Sequence, residues 1–216
     1  MTDRSRPSRR DTVLGVCATA AAGLGSTAQA REAPLVAMLG DSLTAGFGLR
    51  ADEALPVQLK AALERRGRIV RVRGAGVNGD TTAGALRRVD RDVPEGADVC
   101  VVALGANDLF QGVAPSRMRA NLDAILERVK AKGARPVVAG MRAPPILDPT
   151  YVRAFDQVFP TVAREHDALL YPFLLDGVAL IPRYNLPDRI HPNAQGVRIV
   201  AERLAPTVAR ALPASA

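Results

Sequence analysis

Short apolar segments alternate with longer amphipathic segments along the chain from Leu35 onward. Five of the apolar segments have the length of strands, and they cover residues 35–39, 69–73, 99–104, 136–141 and 169–173. The first, third and fourth are apolar at consecutive positions rather than at alternate ones. Such segments are typical of strands that are buried on both faces of a parallel sheet.

The segments between these strands show helical periodicity, in which apolar residues recur on one face of a helix. We predict helices at 53–66, 82–90, 115–132, 151–165 and 193–212, with Gly133 as a cap at the end of the third. Strands that alternate with helices form a parallel sheet covered on both sides. The pattern therefore predicts a single α/β domain over residues 31–216, a flavodoxin-like three-layer α/β/α sandwich with a five-stranded parallel sheet.

Residues 1–30 have the composition of an export signal rather than of the domain. A polar segment with several arginines is followed by an uncharged run at 13–25 and by Ala28-Gln29-Ala30, a small-x-small cleavage site. We expect cleavage after Ala30 and a periplasmic or secreted mature protein. The Arg9-Arg10 pair resembles a twin-arginine signal, although the Phe and Lys of that signal are missing. The alternative is an apolar N-terminal helix of a cytosolic protein.

Composition and charge limit the classes of partner. The uncharged run is too short and too rich in Ala and Gly to act as a stable membrane anchor. The formal net charge is +7, but four arginines and two aspartates fall in residues 1–30, and the other charges are spread along the chain. Aromatic residues make up 4% of the chain and Trp is absent, which argues against a nucleic-acid surface. Cys100 is the single cysteine after residue 30, so no intramolecular disulfide is expected.

Turns rich in Gly, Asn, Asp and Ser follow the first three predicted strands and precede the last helix. Ligands of such folds bind at the carboxyl ends of the parallel strands, so we expect these turns to converge at one edge of the sheet. The four segments are Gly40-Asp41-Ser42-Leu43-Thr44-Ala45-Gly46, Gly74-Ala75-Gly76-Val77-Asn78-Gly79-Asp80, Gly105-Ala106-Asn107-Asp108 and Asp188-Arg189-Ile190-His191-Pro192.

Ser42 and His191 are a candidate nucleophile and base. A serine hydroxyl becomes an effective nucleophile when a neighbouring imidazole accepts its proton. The chain has two histidines, and His166 follows an amphipathic helix away from the strand ends, which leaves His191 as the candidate base. Asp188 precedes it in the same turn and can accept the other imidazole N–H, completing a Ser-His-Asp triad. The alternative is that Asp188 and His191 belong to a turn that caps the last helix.

Attack by serine leaves negative charge on the carbonyl oxygen of the substrate, and this charge needs fixed hydrogen-bond donors. The candidate donors of this oxyanion hole are the backbone N–H groups of Ser42 and Gly79 and the side-chain amide of Asn107. Glycine at position 79 lets the backbone approach the substrate. Asn is also a common turn residue, so Asn107 has a purely structural alternative. We expect neighbouring aspartates to hold the loops by hydrogen bonds: Asp41, Asp80 and Asp108.

The four turns resemble the four sequence blocks of the SGNH (GDSL) hydrolase superfamily, which is named after Ser, Gly, Asn and His. The matching residues, in the order of the superfamily, are Ser42 in its Gly-Asp-Ser-Leu block, Gly79, Asn107 and Asp188-x-x-His191. Within the superfamily the chain is similar to the bacterial multifunctional thioesterase I, arylesterase and lysophospholipase enzymes. The resemblance implies the same sandwich fold, ester hydrolysis, and no metal or organic cofactor. Ala106 and Arg189 stand where relatives often carry Gly.

Two other motifs fit less well. Segment 74–79 matches G-x-G-x-x-G, but it follows the second strand rather than the first, and Asp98 precedes the next strand instead of ending it. A dinucleotide site is therefore not expected. The nucleophile elbow of α/β-hydrolases, G-x-S-x-G, requires Gly at the position of Thr44.

Apolar loops after the third and fourth strands predict the substrate class. Leu109, Phe110, Pro144 and Ile146 lie in these loops and can line an acyl or aryl pocket, and Arg189 can reach its entrance. The expected substrates are short- to medium-chain acyl esters, with thioesters and lysophospholipids implied by the resemblance. The alternatives are that these side chains only pack the loops, that the enzyme removes acetyl groups from carbohydrates, or that the protein binds ligands without catalysis.

Overall fold

Five parallel strands form the centre of the molecule in a computed structural model, which describes residues 32–214. The strands are β1 (Leu35–Gly40), β2 (Arg71–Gly76), β3 (Val99–Ala103), β4 (Arg135–Ala139) and β5 (Leu169–Tyr171). Their order across the sheet is β2-β1-β3-β4-β5, and neighbouring strands are parallel. This is the flavodoxin-like order, and it confirms the predicted fold class. The predicted export signal lies outside the described residues.

Helices cover both faces of the sheet. They are α1 (Ser42–Ala45), α2 (Leu55–Glu64), α3 (Thr82–Asp92), α4 (Ala106–Phe110), α5 (Pro115–Ala131), α6 (Pro149–Glu165) and α7 (Ala194–Ala211). Helices α2 and α7 pack together on one face, and α3, α5 and α6 pack on the other. Gly133 follows the end of α5 with a φ of 82°, the left-handed conformation of a helix cap. Among residues 32–214 no helix is long and apolar enough to cross a membrane.

The inner strands β1, β3 and β4 lie in the hydrophobic core. Their residues are almost entirely buried, as their continuous apolar character predicts. Large side chains from both helical layers pack against them, including Leu59 and Leu63 of α2 and Phe155 and Phe159 of α6. Cys100 lies in β3, where burial raises the pKa of its thiol to about 12, so the thiol stays protonated.

The edge strand β2 differs from its prediction. The apolar pattern predicts residues 69–73, but the strand begins two residues later and Ile69 is 68% exposed. Only β1 pairs with β2, and this pairing extends the strand through Gly74 and Gly76, which are therefore not part of a phosphate-binding loop. A Cβ atom on Gly76 would lie 2.2 Å from the backbone nitrogen of Ala45, so glycine lets α1 pack against this strand.

Candidate active site

The predicted active-site turns meet where β1 and β3 end. These strands are neighbours, but the chain leaves β1 towards α2 on one face of the sheet and leaves β3 towards α5 on the other. Such a reversal opens a crevice at the carboxyl ends of the two strands, where flavodoxin-like folds bind their ligands. Ser42 follows β1 and Asn107 follows β3, so both residues lie at this crevice.

Ser42 is the first residue of the short helix α1. Asp41 caps this helix, because its Oδ1 accepts a hydrogen bond from the backbone N–H of Leu43 at 2.9 Å. Ser42 is only 8% exposed, and its Oγ lies 2.9 Å from Nε2 of His191, a residue 149 positions away in the sequence. The fold therefore brings the predicted nucleophile and the predicted base into hydrogen-bond contact.

Asp188 uses its two carboxylate oxygens for two different purposes. Oδ1 accepts hydrogen bonds from the backbone N–H groups of Ile190 at 2.9 Å and His191 at 3.0 Å, which closes a turn. Oδ2 lies 2.7 Å from Nδ1 of His191 and orients the imidazole ring. Desolvation raises the pKa of this carboxyl, but the hydrogen bonds from His191 and Ile190 outweigh it and bring the pKa to about 2. Asp188 therefore stays ionised and can stabilise an imidazolium.

The loop that holds Asp188 and His191 is anchored at its base. Asn185 and Pro192 form an isolated antiparallel bridge, and the buried side-chain amide of Asn185 donates to two backbone carbonyl groups below the loop. The side chain of Asn193, rather than that of Asp188, caps α7. Asp188 and His191 therefore belong to a turn that Asp188 initiates, as the alternative supposed, but this turn does not supply the cap of the last helix.

Phe47 is a site residue that no sequence pattern marks. Its ring centroid lies 4.5 Å from that of His191, with the two planes inclined by 36°. The aromatic ring therefore packs beside the imidazole of the predicted base. Phe47 stands between two glycines just after α1, and only its nearness to Ser42 in the sequence could have suggested a role.

Asn107 lies in the first turn of α4, where two acceptors hold its side-chain amide. Nδ2 donates to the backbone oxygen of Asp80 at 3.0 Å and to Oδ2 of Asp41 at 3.3 Å. Both amide hydrogens are thus engaged, and the contact with Asp41 is the longer of the two. Asp41 and Asp80 hold the site by hydrogen bonds, as expected from the sequence.

Gly79, the predicted second donor of the oxyanion hole, has a φ of 75°. This left-handed conformation favours glycine, which has no Cβ to restrict it. A Cβ built at this position would meet no atom within 4 Å, so the space above the backbone is open. The backbone of Gly79 is therefore not covered by other parts of the chain on this side.

A buried arginine on α3 fixes the loop that contains Gly79. Arg88 is 8% exposed and donates to the carboxylates of Asp80 and Asp92 and to backbone oxygens at the ends of β1 and β2, each at 2.8 Å.

A second contact connects two helices near the site. The carboxylate of Asp108 accepts hydrogen bonds from the backbone N–H and the hydroxyl of Thr82, which connects α4 to the start of α3. These contacts hold the ends of two strands, β1 and β2, and the two helices α3 and α4 in one arrangement.

An apolar cavity of about 500 Å³ lies beside the triad. Ala106 and Ile190 line it, and they directly precede Asn107 and His191 in the sequence. Four of the five predicted substrate-binding residues also line it: Leu109, Phe110, Pro144 and Arg189. The fifth, Ile146, is 90% exposed and lies outside the lining. The lining also includes residues that the sequence did not single out, among them Met141, Arg142, Phe173 and Leu180.

Arg189 stands in the turn between Asp188 and His191 with a φ of 61°. This left-handed conformation costs a non-glycine residue about 1–2 kcal/mol. Glycine would adopt it without that cost. Arginine can therefore occupy this position, but its backbone is strained there.

His166 lies apart from the crevice. It follows α6, and its Nε2 lies 3.2 Å from Oδ1 of Asp123 on α5, so it joins two helices of one layer. A second, more open groove of about 420 Å³ lies between these helices and contains no triad residue. In the part of the chain that the structure describes, no group of three or more His, Cys, Asp or Glu side chains could hold a metal ion.

Known proteins resemble this chain over most of its length. The sequence profile of the GDSL-like lipase/acylhydrolase family matches residues 38–199. Esterase TesA of Pseudomonas aeruginosa is 33% identical over 181 residues, which is 83% of this chain and 90% of that protein. Thioesterase 1/protease 1/lysophospholipase L1 of Escherichia coli K12 is 33% identical over 180 residues, 83% of this chain and 85% of that protein. The crystal structure of AlinE4, an SGNH-hydrolase family esterase, superposes with a TM-score of 0.69 at 41% identity, covering 85% of this chain and 98% of AlinE4.

Proposed function

Because the chain belongs to the GDSL-like lipase/acylhydrolase family, we propose that its serine esterase activity proceeds through an acyl-enzyme on Ser42. The protein is an ester hydrolase of the SGNH type. One observation supports the assignment of roles above all others. A continuous hydrogen-bond chain joins Ser42 Oγ to His191 Nε2 at 2.9 Å and His191 Nδ1 to Asp188 Oδ2 at 2.7 Å.

The first half of the reaction forms the acyl-enzyme. His191 Nε2 accepts the proton of Ser42 as Oγ attacks the ester carbonyl carbon, and Asp188 stabilises the resulting imidazolium. The carbonyl oxygen becomes an oxyanion, which accepts hydrogen bonds from the N–H groups of Ser42 and Gly79 and from the amide of Asn107. The imidazolium then gives its proton to the leaving alcohol, and the bond between carbonyl carbon and alcohol oxygen breaks.

The second half releases the acid. A water molecule takes the place of the alcohol, and His191 accepts its proton while the water oxygen attacks the acyl carbon. The same donors stabilise the second oxyanion. His191 returns the proton to Ser42 Oγ as the acid leaves, which regenerates the resting site.

We propose short- to medium-chain acyl esters, including aryl esters, as substrates, with thioesters and lysophospholipids as further members of the class. The apolar cavity beside the triad supports this, because it is lined mostly by aliphatic and aromatic side chains such as Leu109, Phe110 and Phe173. A series of p-nitrophenyl esters of increasing chain length tests the assignment. Hydrolysis confined to acetyl groups on sugars would overturn it in favour of a carbohydrate O-acetylesterase.

Labelling with a fluorophosphonate tests the role of Ser42. We expect the wild-type protein to be labelled, and Ser42→Ala to lose both labelling and ester hydrolysis. His191→Ala should react far more slowly, because no base remains to take the serine proton. Ser116→Ala is a matched control, since Ser116 is exposed on α5 away from the triad. Equal labelling of wild type and Ser42→Ala, or no labelling of either, would contradict the role proposed for Ser42 and favour a protein that binds ligands without catalysis.

We also propose that residues 1–30 are an export signal that is removed after Ala30, which would deliver the enzyme to the periplasm or the medium. Support comes from the sequence of this segment, with its arginine pair, uncharged run and small-x-small site. N-terminal sequencing of the exported protein should begin at Arg31. Replacing Arg9 and Arg10 by Lys should block export if the twin-arginine route is used, whereas unchanged export would indicate the general secretory route.

A further inference from the structure

Two arginines stand at the exposed margin of the apolar cavity, and they are its only charged lining residues within residues 32–214. The guanidinium groups of Arg142 and Arg189 have no hydrogen bond or ion pair with any residue of the described part of the chain. The other lining residues are apolar, so no carboxylate in the lining neutralises these charges. The cavity therefore combines an apolar floor with an unneutralised positive margin.

The side chains of both arginines lie at this margin of the cavity. The guanidinium carbon of Arg142 lies 5.5 Å from the ring centroid of Phe173, another lining residue, and this cation–π contact holds the charge at the cavity wall. Arg189 is placed directly before Ile190 and His191, in a turn whose left-handed φ glycine would adopt without strain. A strained residue beside a reactive centre is a reason to look for a use of its side chain.

We infer that Arg142 and Arg189 form a subsite for an oxyanionic group, a carboxylate or a phosphate, of the ester that binds in the cavity. This inference rests on the proposed function and specifies its substrate. The planar guanidinium offers paired N–H donors that match the oxygens of carboxylates and phosphates. The apolar part of the substrate lies along the cavity, while the anionic group binds at the margin. The anionic group belongs either to the acyl chain or to the alcohol.

Matched pairs of esters distinguish these two sources. For the acyl side, p-nitrophenyl hydrogen adipate, whose chain ends in a carboxylate, is compared with its neutral methyl-capped form. For the alcohol side, the butyrate of a carboxylated nitrophenol is compared with the butyrate of the corresponding methyl ester. The quantity measured is the ratio of kcat/KM between the anionic and the neutral member of each pair. We expect a preference for the anionic member in one pair, and that pair identifies the side of the ester that carries the charge.

Single and double variants assign the preference to the two arginines. Arg142→Gln and Arg189→Gly should each lower the ratio about fivefold, mainly through KM, because exposed ion pairs contribute modestly. The ratio cancels any effect of Arg189→Gly on His191, and glycine also suits the backbone there. Added salt should lower the wild-type ratio because the groups are exposed. Arg198→Gln, which removes a positive charge from an exposed position on α7 outside the cavity, should leave the ratio unchanged.

The inference is overturned if wild type shows no anionic preference in either pair, or if the double variant keeps the wild-type ratio. Binding of the same esters to Ser42→Ala, measured by calorimetry, gives the ratio without turnover. If no ester is hydrolysed by the wild-type protein, the proposed function fails, but the calorimetric ratio still decides whether the arginines bind the anionic group.

Discussion

At the scale of single residues, the site contains two carboxylates in opposite environments. Asp188 is partly exposed and accepts hydrogen bonds from its own turn and from His191, which hold its pKa at about 2. Asp41 is buried beneath Ser42, and desolvation raises its pKa to about 6 in spite of the hydrogen bond from Leu43. Asp188 is therefore charged throughout the range in which esterases work, whereas Asp41 changes its charge near the lower end of that range.

Asp188→Asn should lower kcat for a neutral ester by on the order of 10⁴, by analogy with the same change in other triads. The asparagine oxygen can still close the turn, but its Nδ2 is a donor and would face His191 Nδ1. Nδ1 would then have to be the unprotonated nitrogen, which leaves Nε2 protonated and unable to accept the serine proton. Steady-state kinetics measures the loss, and a melting temperature close to that of wild type would show that the turn survives. An unchanged kcat would contradict the role proposed for Asp188.

The raised pKa of Asp41 predicts a pH-dependent loss of stability. An unfolded Asp ionises near pH 4, but folded Asp41 keeps its proton up to about pH 6, so between these values the folded state binds more protons. The unfolding free energy of wild type should therefore fall relative to that of Asp41→Asn as the pH rises from about 4 to about 7, by up to about 3 kcal/mol. Urea unfolding of both proteins at several pH values measures the difference. A difference that is independent of pH would show that Asp41 ionises normally.

At the scale of secondary-structure elements, α3 supports a site to which it contributes no reacting group. Its Arg88 reaches backbone oxygens at the ends of β1 and β2 and the carboxylate of Asp80, whose own carbonyl accepts a hydrogen bond from Asn107. A chain of hydrogen bonds thus leads from the buried side of α3 to the proposed oxyanion donor. If Asn107 is the oxyanion donor that we propose, Arg88 is a positioning residue that acts through Asp80 and Asn107.

Arg88→Met should destabilise the protein by about 3–5 kcal/mol, because Asp80 and Asp92 would remain largely buried without their partner. In the folded fraction of Arg88→Met, kcat should fall by about tenfold, because the side chain of Asn107 loses its fixed position. Urea unfolding and steady-state kinetics measure the two effects separately. Arg87→Met is the matched control, since Arg87 is a neighbour on α3 whose guanidinium, within residues 32–214, donates only to the carbonyl of Ala83 on the same helix. A loss of stability without any change in kcat would limit Arg88 to a structural role.

At the scale of the whole molecule, the site exists only when the complete sheet has formed. Ser42 lies directly after the first strand, whereas His191 lies in the loop before the last helix. Strand β3 must also pair with β1 before the side chain of Asn107 can reach the backbone of Asp80. Residues 32–214 form one compact unit that contains all of these groups. The site should therefore be lost in a single step with the fold rather than by a local change.

A protein that begins at Arg31 should fold and hydrolyse esters like the full chain. All proposed catalytic and oxyanion residues lie within the compact unit, and segments outside a packed core are commonly removed without loss. We expect kcat/KM within about twofold of the full chain and an unchanged melting temperature. Circular dichroism and kinetics on both proteins test this. A truncated protein that fails to fold would show that residues 1–30 belong to the domain.

The fold and the identity of the reacting groups could be predicted from the sequence because both depend on local signals. Consecutive apolar residues mark β1, β3 and β4 whatever their neighbours, and helical periodicity marks α5 and α7. Ser42 and His191 could be paired without coordinates because the chain contains only two histidines and one of them lies away from the strand ends. Few residue types can act as a nucleophile or as a general base, so the sequence offers only a short list of candidates for each role.

Tertiary packing alone decided which loop side chains face the site. Ile146 and Phe110 look equivalent in the sequence, but Ile146 points into solvent while Phe110 lines the cavity. No local sequence pattern marks Phe47, Arg88 or Arg142. Each of them is placed at the site by a contact with a residue far away in the chain. The edge strand β2 follows its pairing with β1 rather than its own apolar residues. In each case the direction of a side chain is set by long-range packing, which a local pattern does not contain.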